Sequence, residues 1–122
     1  MDTYFFDTYA FFELLEGNPD YDKYKNAIDI VTTKFNLMEL HYGLLNRNGK
    51  EKADATYYEL LKLITEIDDN IIITANQFKL LLKKRKLSYV DCLGYSIAIT
   101  RGIKFLTGDK QFKDLENVEF VK

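Results

Sequence analysis

The sequence predicts an α/β fold, a three-layer α/β/α sandwich around a central, mainly parallel sheet. Short strand-forming segments alternate with helical segments along the chain, and strands that are joined through helices pair in parallel. The chain has 122 residues, of which 47% are hydrophobic and 15% aromatic, enough for a substantial core without disulfides. We therefore expect a single domain that spans residues 1–122.

Five segments have the composition of β-strands. The first, at residues 3–8, is rich in aromatic side chains that suit a pleated surface, and we expect it to run through the middle of the fold. The segment at 27–32 alternates apolar and polar residues in part, and 71–74 is a β-branched run suited to a buried strand. In chain order the predicted strands are 3–8, 27–32, 71–74, 103–107 and 118–121.

The helices between these strands are predicted from capping residues and from apolar periodicity. Gly17 ends the first helix, and Asn18 followed by Pro19 is typical of the start of the next. Residues 50–67 place apolar side chains on one face at helical spacing, the clearest amphipathic pattern in the chain. The predicted helices are 8–16, 19–26, one capped by Thr33 or Asn36 that runs to Leu45, 50–67, 76–85, 89–101 between Ser88 and Gly102, and 110–115.

Composition narrows the class of protein. The single cysteine, Cys92, allows neither a disulfide nor a thiolate zinc site within one chain, which favours a reducing, cytoplasmic location. Asp7 and Glu13 interrupt the apolar stretch at 4–15, which argues against a signal peptide, and no segment has the length of a membrane span. The net charge of −2 argues against a purely electrostatic nucleic-acid binder, although cations bound by carboxylates would reverse that balance.

Four carboxylates are predicted to meet at the carboxyl edge of the sheet. Asp7 ends the first strand, and Asp109 follows the predicted strand that ends at Thr107. Glu39 and Asp91 lie near the starts of two helices that face the same edge if the sheet is parallel. Carboxylates that converge repel one another unless a cation binds, and oxygen ligands suit Mg²⁺ or Mn²⁺. The pattern therefore predicts a metal site.

Each of these acidic residues also has a structural interpretation as a helix cap. Asp7 and Asp109 directly precede predicted helices. Two further pairs have the spacing of a capping box, namely Asn36 with Glu39 and Ser88 with Asp91. Taken singly, each position suits a cap at least as well as a site. Their joint placement at one edge, and the cost of burying the carboxylates of Asp7 and Asp91 among apolar residues, favour a site.

At these residues the chain resembles the PIN-domain ribonucleases, in particular the VapC-like toxins of toxin–antitoxin pairs. The segments that carry the resemblance are FFDT at 5–8, MELHYGLL at 38–45, LSYVDCLGYSIA at 87–98 and FLTGDKQF at 105–112. The resemblance implies an α/β/α sandwich with a metal-binding acidic cluster of Asp7, Glu39, Asp91 and Asp109, and Thr107 matches the Ser/Thr that precedes the last aspartate. It also favours a homodimer and a cognate antitoxin protein as partner.

Two positions depart from the pattern of the family. A small polar residue commonly lies two positions after the first aspartate, where this chain has Tyr9. Many relatives carry an acidic residue two positions after the last aspartate, where this chain has Gln111. These departures concern a second metal position more than the first.

The resemblance implies hydrolysis of an RNA phosphodiester bond with the help of one or two divalent cations. Asp7, Asp91 and Asp109 would be metal ligands, directly or through water. Glu39 would bind metal or orient the attacking water, and Thr107 would donate to a phosphate oxygen or to a ligand carboxylate. The residues alone do not separate RNA from DNA as the substrate.

The remaining reactive or charged residues have mainly structural interpretations. His41 is the only histidine, which excludes a histidine-pair mechanism within one chain, and it lies about 200° around the helix from Glu39. Cys92 is interpreted as a packing residue. The run Lys83-Lys84-Arg85-Lys86 is either a solvated helix end or part of a phosphate-binding rim. The basic residues that would join such a rim are Arg47, Lys50, Arg101, Lys110 and Lys113.

Aromatic side chains are frequent near the N-terminus, and core packing is favoured over base stacking for them. Some of them would also suit a dimer interface or a groove for an antitoxin peptide. These residues are Tyr9, Phe11, Phe12, Tyr21 and Tyr24. The leading functional hypothesis is a metal-dependent endoribonuclease toxin. The alternatives are an RNA-processing nuclease, an inert PIN-like module that binds RNA or protein, and, last, a phosphorelay receiver. A receiver needs a phosphoacceptor aspartate at a later strand end, where this chain has Thr74.

Overall fold

The computed structural model describes residues 3–26 and 29–122, and within them four strands form one parallel sheet. The strand order is β2-β1-β3-β4, so β1 is an interior strand, as the sequence predicts. The strands are β1 (Thr3–Phe6), β2 (Asp29–Val31), β3 (Lys104–Thr107) and β4 (Val118–Phe120). The predicted α/β fold with a central parallel sheet is therefore confirmed.

Helices cover both faces of this sheet. The α-helices are α1 (Thr8–Leu15), α2 (Lys34–Asn48), α3 (Lys50–Leu60), α4 (Asp69–Leu81) and α5 (Tyr89–Arg101). The 3₁₀ segments are Pro19–Asn26, Leu61–Leu63, Lys83–Arg85 and Lys110–Phe112. In the described part of the chain no helix is both long and apolar enough to cross a membrane.

The two faces of the sheet carry separate apolar cores, because successive residues of a strand point to opposite sides. Phe5 and Phe105 lie on one side, stacked with ring centroids 5.5 Å apart, in the core that α4 and α5 cover. Phe6 and Leu106 lie on the other side, in the core that α1, α2 and α3 cover. All four side chains are 0% exposed. The alternation gives the three layers.

Gly94 lets α5 approach the sheet closely. A methyl group at this position would overlap the ring of Phe5 and crowd that of Phe105. Asp91 lies about one turn earlier in the same helix, so the close packing at Gly94 also determines where Asp91 lies relative to β1.

The predicted third strand at 71–74 is wrong, because these residues lie in α4. The side chain of Asp68 caps the helix by accepting a hydrogen bond from the backbone N–H of Ile71 at 2.9 Å. Ile71 is buried, whereas Ile72 and Ile73 are 47% and 58% exposed. A short β-branched run is compatible with a strand or with a helix segment, and here helical capping and one-sided burial outweigh β-propensity.

The other differences concern the extent and type of elements. The helix predicted at 50–67 ends at Leu60, and the chain then extends so that Ile64 forms a parallel bridge with Thr32. The helices predicted at 19–26 and 110–115 are 3₁₀ segments. In the strand predicted at 27–32, Ala27 and Ile28 lie outside the described residues.

Candidate active site

Asp7 lies directly after β1, where the chain enters α1. Its Oδ1 accepts a hydrogen bond from the backbone N–H of Ala10 at 2.8 Å, so the predicted cap is present. The residue is only 5% exposed. Burial raises the pKa of this carboxyl from 3.8 to about 7; hydrogen bonds from Thr107 and Ala10 oppose the shift, and the charges of Asp91 and Asp109 add to it. A cap alone lowers a carboxyl pKa, so the raised value reflects burial beside other carboxylates.

Thr107 connects Asp7 to Asp109. It ends β3 beside β1 and is 0% exposed. Its hydroxyl donates to the Asp7 carboxylate, and its Oγ1 accepts a hydrogen bond from the backbone N–H of Asp109 at 3.0 Å. Asp109 in turn caps the following 3₁₀ turn, since its Oδ1 accepts from the backbone N–H of Gln111 at 3.0 Å. One buried hydroxyl therefore holds both aspartates at the ends of adjacent strands.

Tyr9 packs against Gly108, the glycine between Thr107 and Asp109. A methyl group at Gly108 would overlap the Tyr9 ring and crowd the carbonyl oxygen of Val121. Burial raises the pKa of Tyr9, and the negative charges of Glu13, Asp7 and Asp109 raise it further. The departure at position 9 thus places an aromatic ring beside the acidic residues.

Asp91 forms the predicted capping box with Ser88. The Asp91 N–H donates to Ser88 Oγ, and the Ser88 N–H donates to Asp91 Oδ2, both at 3.0 Å. Burial nevertheless raises the pKa of Asp91, and Asp109 contributes in the same direction, while the hydrogen bonds from Ser88 and the charge of Lys79 oppose it. Asp91 is therefore a cap and a neighbour of the other aspartates at once.

Glu39 is held by Thr8 rather than by the predicted capping box with Asn36, which is wrong. The Thr8 hydroxyl donates to Glu39 Oε1 at 2.7 Å, and the Asn36 side-chain amide donates to Thr8 Oγ1 at 3.2 Å. The cap of α2 is Thr33, whose Oγ1 accepts from the backbone N–H of Asn36 at 3.1 Å. Burial raises the pKa of Glu39 and Asp91 adds to the shift, although Thr8 opposes it.

Sequence reasoning missed the role of Thr8 and Asn36, which orient Glu39 from the start of α1 and the first turn of α2. The position of Thr8 directly after Asp7, at the same strand end, is the one signal in the sequence for it.

The four predicted acidic residues share the carboxyl edge of the sheet, and we call them the acidic edge: Asp7, Glu39, Asp91 and Asp109. The charges of Asp91 and Asp109 raise the pKa of Asp7. In the same way, Asp109 raises the pKa of Asp91, and Asp91 raises that of Glu39. Within residues 3–26 and 29–122, however, no group of three or more His, Cys, Asp or Glu side chains is close enough to hold a metal ion. The all-oxygen donors and their mutual repulsion fit a hard divalent cation, held directly or through water.

His41 and Cys92 have the structural environments that the sequence predicts. His41 Nε2 lies 2.7 Å from Asp54 Oδ1, between α2 and α3. Cys92 is 0% exposed, and burial raises the pKa of its thiol, which makes it a poor nucleophile.

Most of the N-terminal aromatic residues belong to the core. Phe11, Tyr21 and Tyr24 are buried, and the Tyr24 hydroxyl donates to Glu119 Oε2 at 2.7 Å. Tyr9 and Phe12 are partly buried at its margin. The interpretation of these aromatic residues as core is thus confirmed for Phe11, Tyr21 and Tyr24.

The comparison with protein families identifies the class. The family model described as PIN domain matches residues 4–118, almost the whole chain. The chain therefore belongs to the PIN domain family, and the resemblance predicted from the sequence is confirmed.

Three solved structures share the fold. VapC20 from Mycobacterium tuberculosis, described as a Sarcin-Ricin loop cleaving toxin, is 20% identical with a TM-score of 0.76, over 97% of this chain and 96% of that one. VapBC2 from Rickettsia felis, bound to a DNA fragment from its promoter, is 22% identical with a TM-score of 0.76, over 98% and 99%. A toxin–antitoxin complex from Klebsiella pneumoniae is 18% identical with a TM-score of 0.75, over 94% of both chains. The comparison with curated protein sequences gives no match.

Proposed function

We propose that this protein is a divalent-metal-dependent endoribonuclease and the toxin of a toxin–antitoxin pair. The observation that carries the proposal is Asp7, a buried carboxyl with a pKa raised to about 7, held by Thr107 within electrostatic range of Asp91 and Asp109. Membership of the PIN domain family supports a nuclease. A protein keeps a buried, mutually repelling carboxylate cluster when something gained at that site offsets its cost, and a catalytic cation is such a gain.

The acidic residues take different roles in this proposal. Asp7, Asp91 and Asp109 are ligands for Mg²⁺ or Mn²⁺, directly or through water. When bound, the cation neutralises charge on the phosphate and lowers the pKa of a water molecule. Glu39, oriented by Thr8, binds metal or positions the attacking water. Thr107 keeps Asp7 and Asp109 in place through its hydroxyl.

Partners are inferred from the structural relatives. The relatives from Klebsiella pneumoniae and Rickettsia felis are toxin–antitoxin complexes, and VapC20 is described as cleaving the Sarcin-Ricin loop. We infer RNA as the substrate, a cognate antitoxin protein as inhibitor, a homodimer and a cytoplasmic location.

One observation favours a second candidate, an inert PIN-like module that binds RNA or protein. In the described residues, no group of three or more His, Cys, Asp or Glu side chains is arranged to hold a metal ion. Tyr9 and Gln111 occupy positions where the pattern of the family has small polar and acidic residues. All four members of the acidic edge are nevertheless present, so the nuclease ranks first.

The deciding experiment is cleavage of a mixed set of structured and single-stranded RNAs with Mg²⁺, with Mn²⁺ and with EDTA, for wild type and Asp7→Asn. Asparagine caps helices as well as aspartate does, so this change removes the charge and keeps the cap. Metal-dependent cleavage that is lost in the variant supports the nuclease. Absence of cleavage by folded wild type under every condition favours the inert module.

Toxicity is a separate question. Induced expression of a toxin arrests growth, and co-expression of the product of the adjacent gene relieves the arrest. An RNA-processing nuclease would cleave without either effect.

A further inference from the structure

The basic residues predicted for a phosphate-binding rim fall into two groups, those with a side-chain partner within the protein and those without an ion pair in the described residues. Four of these nine residues already have a partner within the protein. Arg47 pairs with Glu16 at 2.9 Å, Lys50 with Asp54 at 2.5 Å, and Arg85 with Asp114 at 2.7 Å, while Arg101 donates to Thr65. Arg85 also donates to the Gln111 carbonyl at 2.8 Å, so it links two segments of the fold. No ion pair within the described residues involves the other five, which are Lys83, Lys84, Lys86, Lys110 and Lys113. Of these, only Lys110 and Lys113 belong to the segment that follows Asp109 at the end of β3.

These two residues form a cluster with Lys122, which we call the lysine cluster. Lys122 lies close to Lys110, and the positive charges of Lys110 and Lys113 lower the pKa of Lys122. Lys113 lies over the ring of Phe120, with its Nζ 5.4 Å from the centroid. Lys122 was not among the residues considered from the sequence, because its approach depends on where β4 ends.

The positive charges of this cluster are not paired with nearby acidic side chains in the described part of the chain. Within the described residues no ion pair joins Lys110, Lys113 or Lys122 to an acidic side chain, and all three are exposed. Lys50 has the opposite environment, since its contact with Asp54 raises its pKa. A positive patch of this kind, in a chain whose net charge is −2, is local and does not follow from overall composition.

The lysine cluster adjoins the acidic edge. Lys110 follows Asp109 directly, and Thr107 pairs in register with Phe120 on β4. The backbone N–H of Val121 donates to the carbonyl of Thr107 at 2.9 Å, so the residue before Lys122 is bonded to the strand end that holds Asp7. The three ammonium groups therefore lie on the β4 side of the acidic edge.

We propose that the lysine cluster binds phosphates of single-stranded RNA next to the bond presented to the acidic edge. The inference rests on the proposed function for the position of that bond, but binding itself does not require cleavage. Crowded ammonium groups repel one another in the free protein, and a chain of phosphates relieves this repulsion while releasing counterions. An RNA strand is favoured over an acidic protein because the cluster borders the residues that would receive a phosphodiester.

The test is RNA binding in the Asp7→Asn background, where cleavage does not interfere. Fluorescence anisotropy of a labelled single-stranded RNA is measured over a range of salt concentrations. The test variant is Lys110→Gln/Lys113→Gln/Lys122→Gln. The matched control is Lys52→Gln/Lys62→Gln/Lys104→Gln, which removes the same charge from exposed sites outside the cluster. Lys104 begins β3, at the opposite edge of the sheet.

We expect the lysine-cluster variant to lose about tenfold or more in affinity at low salt. The slope of log affinity against log salt should become shallower by about 2, the amount for three phosphate contacts to a single strand. The matched control should retain the affinity and slope of its parent. Thermal unfolding of both variants checks that the exposed substitutions leave the fold intact.

Three results would overturn the proposal. These are an unchanged salt slope, an equal loss in the matched control, and a loss of poly-L-glutamate binding with RNA binding retained, which would assign the cluster to an acidic protein. Failure of the proposed function is distinct: wild type would not cleave RNA with Mg²⁺ or Mn²⁺, while the lysine-cluster variant would still lose RNA affinity.

Discussion

Two clusters of charged residues in this protein shift the pKa of an aspartate in opposite directions. At the acidic edge, Asp7 is buried beside other carboxylates, and its pKa is raised to about 7. Between α2 and α3, the carboxylate of Asp54 lies between His41 at 2.7 Å and Lys50 at 2.5 Å, and these hydrogen bonds lower its pKa. We call His41, Lys50 and Asp54 the Asp54 cluster.

The two clusters differ in whether the fold itself compensates the charge of the carboxylate. The charges of the Asp54 cluster are satisfied within the chain, so it needs nothing from outside. The acidic edge carries repulsion that the fold does not relieve, although each of its aspartates also caps a helical segment. Capping explains why these residues suit their positions. The raised pKa values of Asp7 and Asp91 show that the capping hydrogen bonds do not offset the free-energy cost of burial and of charge repulsion.

The largest expected effect is on activity. Asp7→Asn should reduce metal-dependent RNA cleavage by more than about 100-fold, the scale on which loss of one preorganised charge contact affects an active site. Stability of the metal-free protein near pH 8 should rise or stay constant, because the change removes a buried charge and keeps the cap. Cleavage assays and urea unfolding measure the two quantities. Full activity in the variant would exclude Asp7 from catalysis.

The second prediction concerns pH and the metal-free protein. The folded Asp7 carboxyl has a pKa of about 7 against an ordinary value of 3.8, so between these values the folded state binds more protons than the unfolded state. The free energy of unfolding should therefore fall as pH rises through this window, by up to about 4 kcal/mol from Asp7 alone. Asp91 and Glu39 contribute with the same sign, since their pKa values are also raised.

Urea unfolding in EDTA from pH 4 to pH 8 tests this dependence, with Asp7→Asn as the control. The difference between wild type and variant should change across the window and become constant above it. If both proteins have parallel pH profiles, the pKa of Asp7 lies near its ordinary value, and burial affects this carboxyl less than we infer. The contribution of Asp54 to stability has the opposite pH dependence. Its pKa is lowered, so its stabilising effect is lost only as the pH falls into the acidic range.

The third prediction concerns stabilisation by metal. If the acidic edge binds Mg²⁺ or Mn²⁺, the cation should stabilise wild type by about 2.7 kcal/mol at a concentration 100 times its dissociation constant. Asp7→Asn should gain much less. Thermal unfolding with and without the cation measures this effect independently of activity. An equal gain in both proteins would place the cation elsewhere.

The position of the acidic edge was predictable because it follows from topology. Parallel strands end at one edge of a sheet, so carboxylates after β1 and β3 meet there whatever the packing between them. The distances between carboxylates were not predictable, since they depend on close contacts such as α5 against Phe5 at Gly94. Sequence alone indicated a metal site, and the structure shows its four carboxylates as electrostatic neighbours.

The error at 71–74 has a local cause. Three consecutive isoleucines favour a strand by propensity, but Asp68 caps a helix that buries Ile71 and Ala75 on one face. The spacing of those two residues by four is the helical signal, and the neighbouring isoleucines obscured it. Lys122 was missed for a different reason, because its contact with Lys110 depends on tertiary structure.

The smallest expected effect belongs to the Asp54 cluster. Asp54→Asn removes the acceptor shared by His41 and Lys50. The Asp54 side chain is 34% exposed, so the loss of stability should be slight and should diminish in high salt. RNA cleavage should stay within about twofold of wild type, as for other surface substitutions away from a site. Parallel assays of Asp54→Asn and Asp7→Asn make the comparison direct, since both change one aspartate to asparagine. Should Asp54→Asn lose activity as severely as Asp7→Asn, the division between a structural and a functional carboxylate would be wrong.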